Sequence, residues 1–213
     1  MNDNNISIGE PTAPRYEFRT FGRDFKLQLE LMEKFTQPVP EDLQIRVFNE
    51  VYIVSTNTDE INIKVKNSLL DIKKLINTNN NLEQWDSVAK YEFPLDQETL
   101  LNEILPLLNA DIPILEHNEF GIKEFLSIAK RHKDLIPITV QKKRNAYIVN
   151  YTICEFAEVI IGNDYLYTIA VESVDSDEVI NTAEQLGMNS FRNINYVQAI
   201  KRVTGLTGDA FTN

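Results

Sequence analysis

Apolar and polar residues alternate with a period of two over much of the chain, and this pattern gives way to helical spacing at several points. Residues 15–21 (Arg-Tyr-Glu-Phe-Arg-Thr-Phe) alternate charged with aromatic or polar side chains and read as a strand. Residues 24–35 have a mixed period, but Asp24 is a fair N-cap and the Leu, Glu and Lys content favours a helix that Pro38 and Pro40 close. Strands are predicted over 44–56, 61–66, 69–76 and 88–95, with Asn77 to Asn81 as a turn. Leu100, Leu101, Ile104, Leu105 and Leu108 predict a helix over 97–108 that Pro106 kinks or shortens. Ile122, Phe125, Leu126 and Ala129 predict another over 119–133. Strands resume at 138–149, 151–161 and 165–173, separated by Asn150 and by Gly162-Asn163-Asp164. A helix over 176–188 starts at Ser176 as N-cap and stops at Gly187, and a short helix over 191–204 ends the pattern.

Strands thus fall in two groups, with helices between and after them. That order is α+β and not a βαβ series. One domain over 15–204 is expected, with a helical insertion at about 97–133, a flexible polar arm over 1–14 and a tail over 205–213. No repeat of solenoid period is present.

Charge narrows the function. A net charge of -11 argues against general nucleic-acid binding, which needs a basic face. It does not exclude a recess where a few Lys and Arg converge on a small anion. Cys154 is the single cysteine, so no intrachain disulfide forms, and a small core hydrophobe is the expected role. No apolar run approaches the ~20 residues of a membrane span, and the N-terminus lacks the basic-then-apolar order of a secretory signal. A cytoplasmic protein without membrane association is expected, and a homodimer is compatible with the sequence. His117 and His132 are isolated and no Gly-rich phosphate loop exists, which leaves zinc and P-loop chemistry unsupported.

The informative feature is which charges share a strand face. Lys64 and Lys66 oppose Ile61, Ile63 and Val65; Lys142 and Arg144 share a face, as do Arg15, Glu17 and Arg19; Lys90 and Glu92; and Asp71 and Lys73. Glu155 lies on a face with Ile153, Ala157 and Val159, and Glu172 ends the last strand. An ordinary antiparallel sheet with its polar face in solvent would carry such a pattern. If the sheet closes with helices outside, the same charges face inward, where they must pair with each other or with a bound anion.

The order of these strands resembles the CYTH (triphosphate tunnel) superfamily, which includes class IV adenylyl cyclases, thiamine triphosphatases and inorganic triphosphatases. Its opening Glu-x-Glu-x-Lys strand resembles Arg15-Tyr-Glu17-Phe-Arg19, and its paired basic strand resembles Lys64-Val-Lys66. Lys73, Lys90-Tyr-Glu92, Lys142-Lys-Arg144, Tyr147, Glu155 and Glu172 follow in the family's order, and its late tyrosine resembles Tyr196. The resemblance spans about 15–204 and implies an antiparallel β-barrel with helices packed outside. It also implies a basic tunnel that binds a triphosphate-containing small molecule or inorganic polyphosphate and hydrolyses it with a divalent cation, Mg²⁺ or Mn²⁺. It places substrate on Lys64, Lys66, Lys90, Lys142 and Arg144, catalytic roles on Arg19 and Lys73, and metal ligation on Glu17, Glu92, Glu155 and Glu172. Three family acids appear here as Arg15, Ala157 and Ala170, so metal affinity is expected to be lower. The alternatives are a catalytically silent polyphosphate- or nucleotide-binding protein and an interaction scaffold that binds no phosphate.

Overall fold

The computed structural model describes residues 13–111, 115, 117–208 and 211, and in it eight antiparallel strands close into a barrel. The strands are β1 (Arg15–Gly22), β2 (Ile45–Ser55), β3 (Ile61–Lys66), β4 (Leu69–Asn79), β5 (Leu82–Glu92), then a short ribbon of β6 (Leu95–Asp96) with β7 (Glu119–Phe120), then β8 (Leu135–Val149), β9 (Thr152–Ile161) and β10 (Asp164–Ser173). Around the barrel the order is β1-β10-β9-β8-β2-β3-β4-β5, and β5 pairs back onto β1. Helices α1 (Lys26–Phe35) and α2 (Glu41–Gln44) precede β2. A helical stretch of α3 (Gln97–Thr99), a π-turn at Leu100–Ile104 and α4 (Leu105–Leu107) follows β6, α5 (Ile122–Arg131) precedes β8, and α6 (Ser176–Gln185) and α7 (Tyr196–Val203) end the fold. The charged sheet is therefore closed on itself and not a solvated face. No helix among the described residues is long and apolar enough to cross a membrane.

Tight turns hold the hairpins. Asn67-Ser68, Asn80-Asn81 and Asn150-Tyr151 each join paired strands through two residues with positive φ, the twist that matches flanking strands. Asparagine tolerates that region better than most side chains. The turn expected over 77–81 shrinks to Asn80-Asn81 because β4 runs on to Asn79, and β5 begins at Leu82 and not at 88. Its early half escapes a period-two reading because register shifts between Ile72 and Lys73 and between Leu75 and Asn77 disturb the alternation. The helix expected over 97–108 runs continuously over 97–107, with a π-turn in its middle. Pro106 has no N–H to donate, and the Leu105 N–H instead reaches back to the Leu100 carbonyl. Helix α6 is capped by Asp175, whose carboxylate accepts from the N–H groups of Asp177 and Glu178, so Ser176 is the first helical residue. Gly187, at φ +67°, ends this helix as expected. All but residues 13 and 14 of the expected arm lie outside the described residues, as does part of the tail.

The outward face of each strand packs under helices. Ile63, Val65, Leu70 and Ile72 meet Leu100, Ile104, Leu105 and Phe125, while Val149, Cys154 and Val171 meet Met32, Val179 and Leu186. Cys154 is fully buried, and burial pushes its thiol up to about 12, which leaves it an inert core group. The inward face is divided along its length. Toward one end Val54, Val140, Ala157, Val159, Ile161 and Leu166 are apolar, and they pack around Tyr196, Val197 and Ile200 of α7. That helix stops one end of the barrel. Its N-terminus is set by a capping box in which Asn195 accepts from the Gln198 N–H and the Gln198 side chain accepts from the Asn195 N–H. Ile200→Ala should cost roughly 2–5 kcal/mol, since it leaves a cavity in a fully buried contact. Urea unfolding should show a lower midpoint with an unchanged slope.

Candidate functional site

Beyond the α7 stopper the inward positions change from apolar to charged and line a cavity of about 410 Å³, within the range of small-molecule pockets. Strand alternation delivers Glu17 and Arg19 from β1, Lys64 and Lys66 from β3, Lys73 from β4 and Lys90 from β5. Lys142 and Arg144 come from β8, Glu155 from β9 and Glu172 from β10. Glu92 is not brought in: it lies two pairs beyond Lys90, opposite Leu69, and is exposed. Nine Lys and Arg and five Asp and Glu line the cavity, a surplus of four positive charges inside a chain whose net charge is -11.

Two buried carboxylates organise these bases. The first is Glu50, only 1% exposed, which the sequence pattern did not single out. Lys142 Nζ lies 2.5 Å from it, Lys66 at 3.4 Å and Lys64 at 3.5 Å. Burial alone would raise the Glu50 pKa, but the three lysines outweigh it and hold the group well below the usual carboxylate range. Lys142 also donates to the Tyr52 hydroxyl at 2.7 Å and stands 3.7 Å over the Tyr196 ring. Burial depresses the Lys142 ammonium to about 7; Glu50 opposes that shift and Lys64 adds to it. Glu50 was legible in principle, since Phe48, Glu50 and Tyr52 share one face of β2, but the opposite face carries Val47 and Val51 and the contrast between faces is weak.

Glu155 is the second anchor. Arg19 Nη1 donates to its Oε1 at 2.7 Å, and Arg144 Nε lies 2.6 Å from its Oε2. Burial pushes Glu155 up, but Arg19, Arg144 and Lys142 outweigh it and draw the group down to about 2. Arg19 is itself 4% exposed, and it also meets Glu17 at 2.5 Å and Glu172 at 3.6 Å. Arg15 approaches Glu172 at 3.7 Å. Three of the acids expected to hold a divalent cation are thus committed to guanidinium groups. Among the described residues no three His, Cys, Asp or Glu side chains converge as a metal-ligand set. A hard cation needs several free oxygen ligands, and this donor set does not fit one.

Two other groups at the site are uncommitted among the described residues. Lys73 makes no ion pair among the described residues, and the buried Tyr196 hydroxyl has no hydrogen-bond partner there. Burial, with Glu155 and Glu50 nearby, pushes the Tyr196 phenol well above its ordinary pKa, so it remains a donor. Trp85, itself buried, also lines the cavity, with its indole N–H donated to buried Glu83 at 3.1 Å.

No protein-family model and no curated protein matches the chain. Among solved structures, a conserved hypothetical protein from Pyrococcus furiosus superposes with a TM-score of 0.48 at 18% identity, over 86% of this chain and 98% of its own. A candidate adenylyl cyclase from Hippeastrum with a dominant triphosphatase activity gives 0.46 at 12% identity, over 90% and 96%. A candidate adenylate cyclase from Bacillus halodurans gives 0.45 at 14%, over 86% and 96%. At these scores the likenesses carry no argument, and the architecture stands on the closed barrel and its inward bases alone.

The Glu155 network has a pH signature. Its pKa is lower when folded than when unfolded, so its stabilising contribution is complete above about 4.5 and is lost as the pH falls toward about 2. Glu155→Gln should flatten that acid limb in urea unfolding measured from pH 5 to 2. The same variant should lose roughly 3 kcal/mol or more at neutral pH, because Arg19 and Arg144 are left facing a neutral amide.

Proposed function

We propose that the barrel binds a small polyphosphate-type anion, either a triphosphate moiety or inorganic tripolyphosphate, within its charged lumen. The observation that supports this most is the convergence of bases on one cavity, where three lysines share the single carboxylate of Glu50 and Lys73 makes no ion pair among the described residues. Desolvated bases held together repel one another, and an incoming anion relieves that repulsion while accepting charge-assisted hydrogen bonds. Lys64 and Lys66 stand 3.5 Å and 3.4 Å from Glu50, separations long enough for their ammonium groups to turn toward a ligand. The Tyr52 and Tyr196 rings, stacked at 5.5 Å, form the floor above the apolar stopper. Hydrolysis through a carboxylate-held cation, which the sequence resemblance implied, has no convergent free carboxylate set to work with among the described residues.

Binding should carry a proton with it. Lys142 is partly deprotonated at slightly alkaline pH, and a polyanion beside it favours the charged form. Calorimetric titration with tripolyphosphate at pH 8 should therefore show proton uptake, visible as a binding enthalpy that changes with the ionisation enthalpy of the buffer. Lys142→Met should remove that buffer dependence. Lys73→Ala should weaken binding by roughly tenfold or more, the worth of about 1.5–3 kcal/mol for a hydrogen bond to a charged group. Absence of any binding heat at low salt would overturn the anion-site reading.

A further inference from the structure

The carboxylates that resemble metal ligands surround an arginine. Across the β1–β10 pair Glu17 stands directly opposite Glu172, a like-charge juxtaposition that destabilises a sheet unless a cation bridges it. The next inward row reads Arg19 on β1, Ala170 on β10 and Glu155 on β9. Alanine at the middle position leaves the Arg19 side chain room to cross β10. Its guanidinium then reaches Glu155 at 2.7 Å while Nε stays 2.5 Å from Glu17 and Nη2 lies 3.6 Å from Glu172. Thr168 Oγ1, on the same inward face of β10, is 3.3 Å from Nη1, and the Tyr196 ring lies 4.9 Å beneath the guanidinium carbon. This fork of donors is held in one place and permanently charged.

From this we infer that Arg19 is the resident cation of the Glu17–Glu155–Glu172 cluster, and that the barrel takes its polyphosphate as the free anion and not as a divalent-metal complex. The inference rests on the anion-site reading above for its second half alone. A guanidinium buried among three carboxylates does for them what a hard cation would do: it neutralises them and fixes their orientation. Its own positive charge, held among the three carboxylates, also repels an incoming metal ion. Ala170 fits the same scheme, since an acidic side chain there would fill the space that Arg19 crosses.

Manganese provides the test. Titrated into the wild-type protein without phosphate, Mn²⁺ should keep its free six-line electron paramagnetic resonance signal. In Arg19→Gln the guanidinium that lies between the three carboxylates is gone and they are free to turn toward one another, so one equivalent should be captured and its signal lost. Tight capture of one Mn²⁺ by the wild type would overturn the resident-cation assignment, and so would a folded Arg19→Gln protein that captures none. Should Arg19→Gln fail to fold by circular dichroism, the wild-type tripolyphosphate titration decides. Affinity in EDTA should be no weaker than in excess Mg²⁺, and binding that requires Mg²⁺ would overturn the free-anion form. Absence of tripolyphosphate binding in both buffers would overturn that half together with the anion site, whereas Mn²⁺ capture strikes the cation assignment alone.

Discussion

Closure of the sheet is the constraint from which the rest follows. In an open antiparallel sheet the alternate side chains of each strand reach water; in a closed one they share a single interior. Charges at those positions must then be neutralised by one another or by something bound. Here two carboxylates carry most of that burden. Glu50 gathers Lys64, Lys66 and Lys142, and Glu155 gathers Arg19 and Arg144. The two anchors do not reach every base that faces the cavity: Lys73 makes no ion pair among the described residues.

The interior is also graded along the barrel axis. At one end α7 fills the space with Val197, Ala199 and Ile200 against the inward apolar residues of β2, β8, β9 and β10. At the other the lining is polar. Tyr196 stands at the boundary, its ring against Phe21 and Tyr52 and beneath Arg19 and Lys142. Packing of the stopper and placement of the bases are therefore coupled. The helix that contributes to the apolar core also sets the depth of the charged cavity.

Much of this was legible from alternation alone. Lys64 and Lys66 against Ile63 and Val65, or Lys142 and Arg144 in one strand, identify a charged face without any structure. What alternation cannot state is whether that face is turned to water or enclosed, because both arrangements have the same period. Glu50 was missed because β2 is apolar on both faces near it, and its importance lies in three lysines that come from two other strands. Glu92 was included because it follows Lys90 at the right spacing, yet β5 ends there and the side chain lies at the exposed rim. The commitment of Glu17, Glu155 and Glu172 to Arg19 depends on register across β1, β10 and β9, which no single segment encodes.

The most direct measurement is a crystal structure of the protein soaked with tripolyphosphate in the presence of a chelator. The account predicts phosphoryl density inside the barrel, within hydrogen-bond distance of Lys73 and the Tyr196 hydroxyl, with Arg19 still bridging Glu17 and Glu155. Tripolyphosphate bound only on the outer surface, with the lumen free of it, would contradict the account.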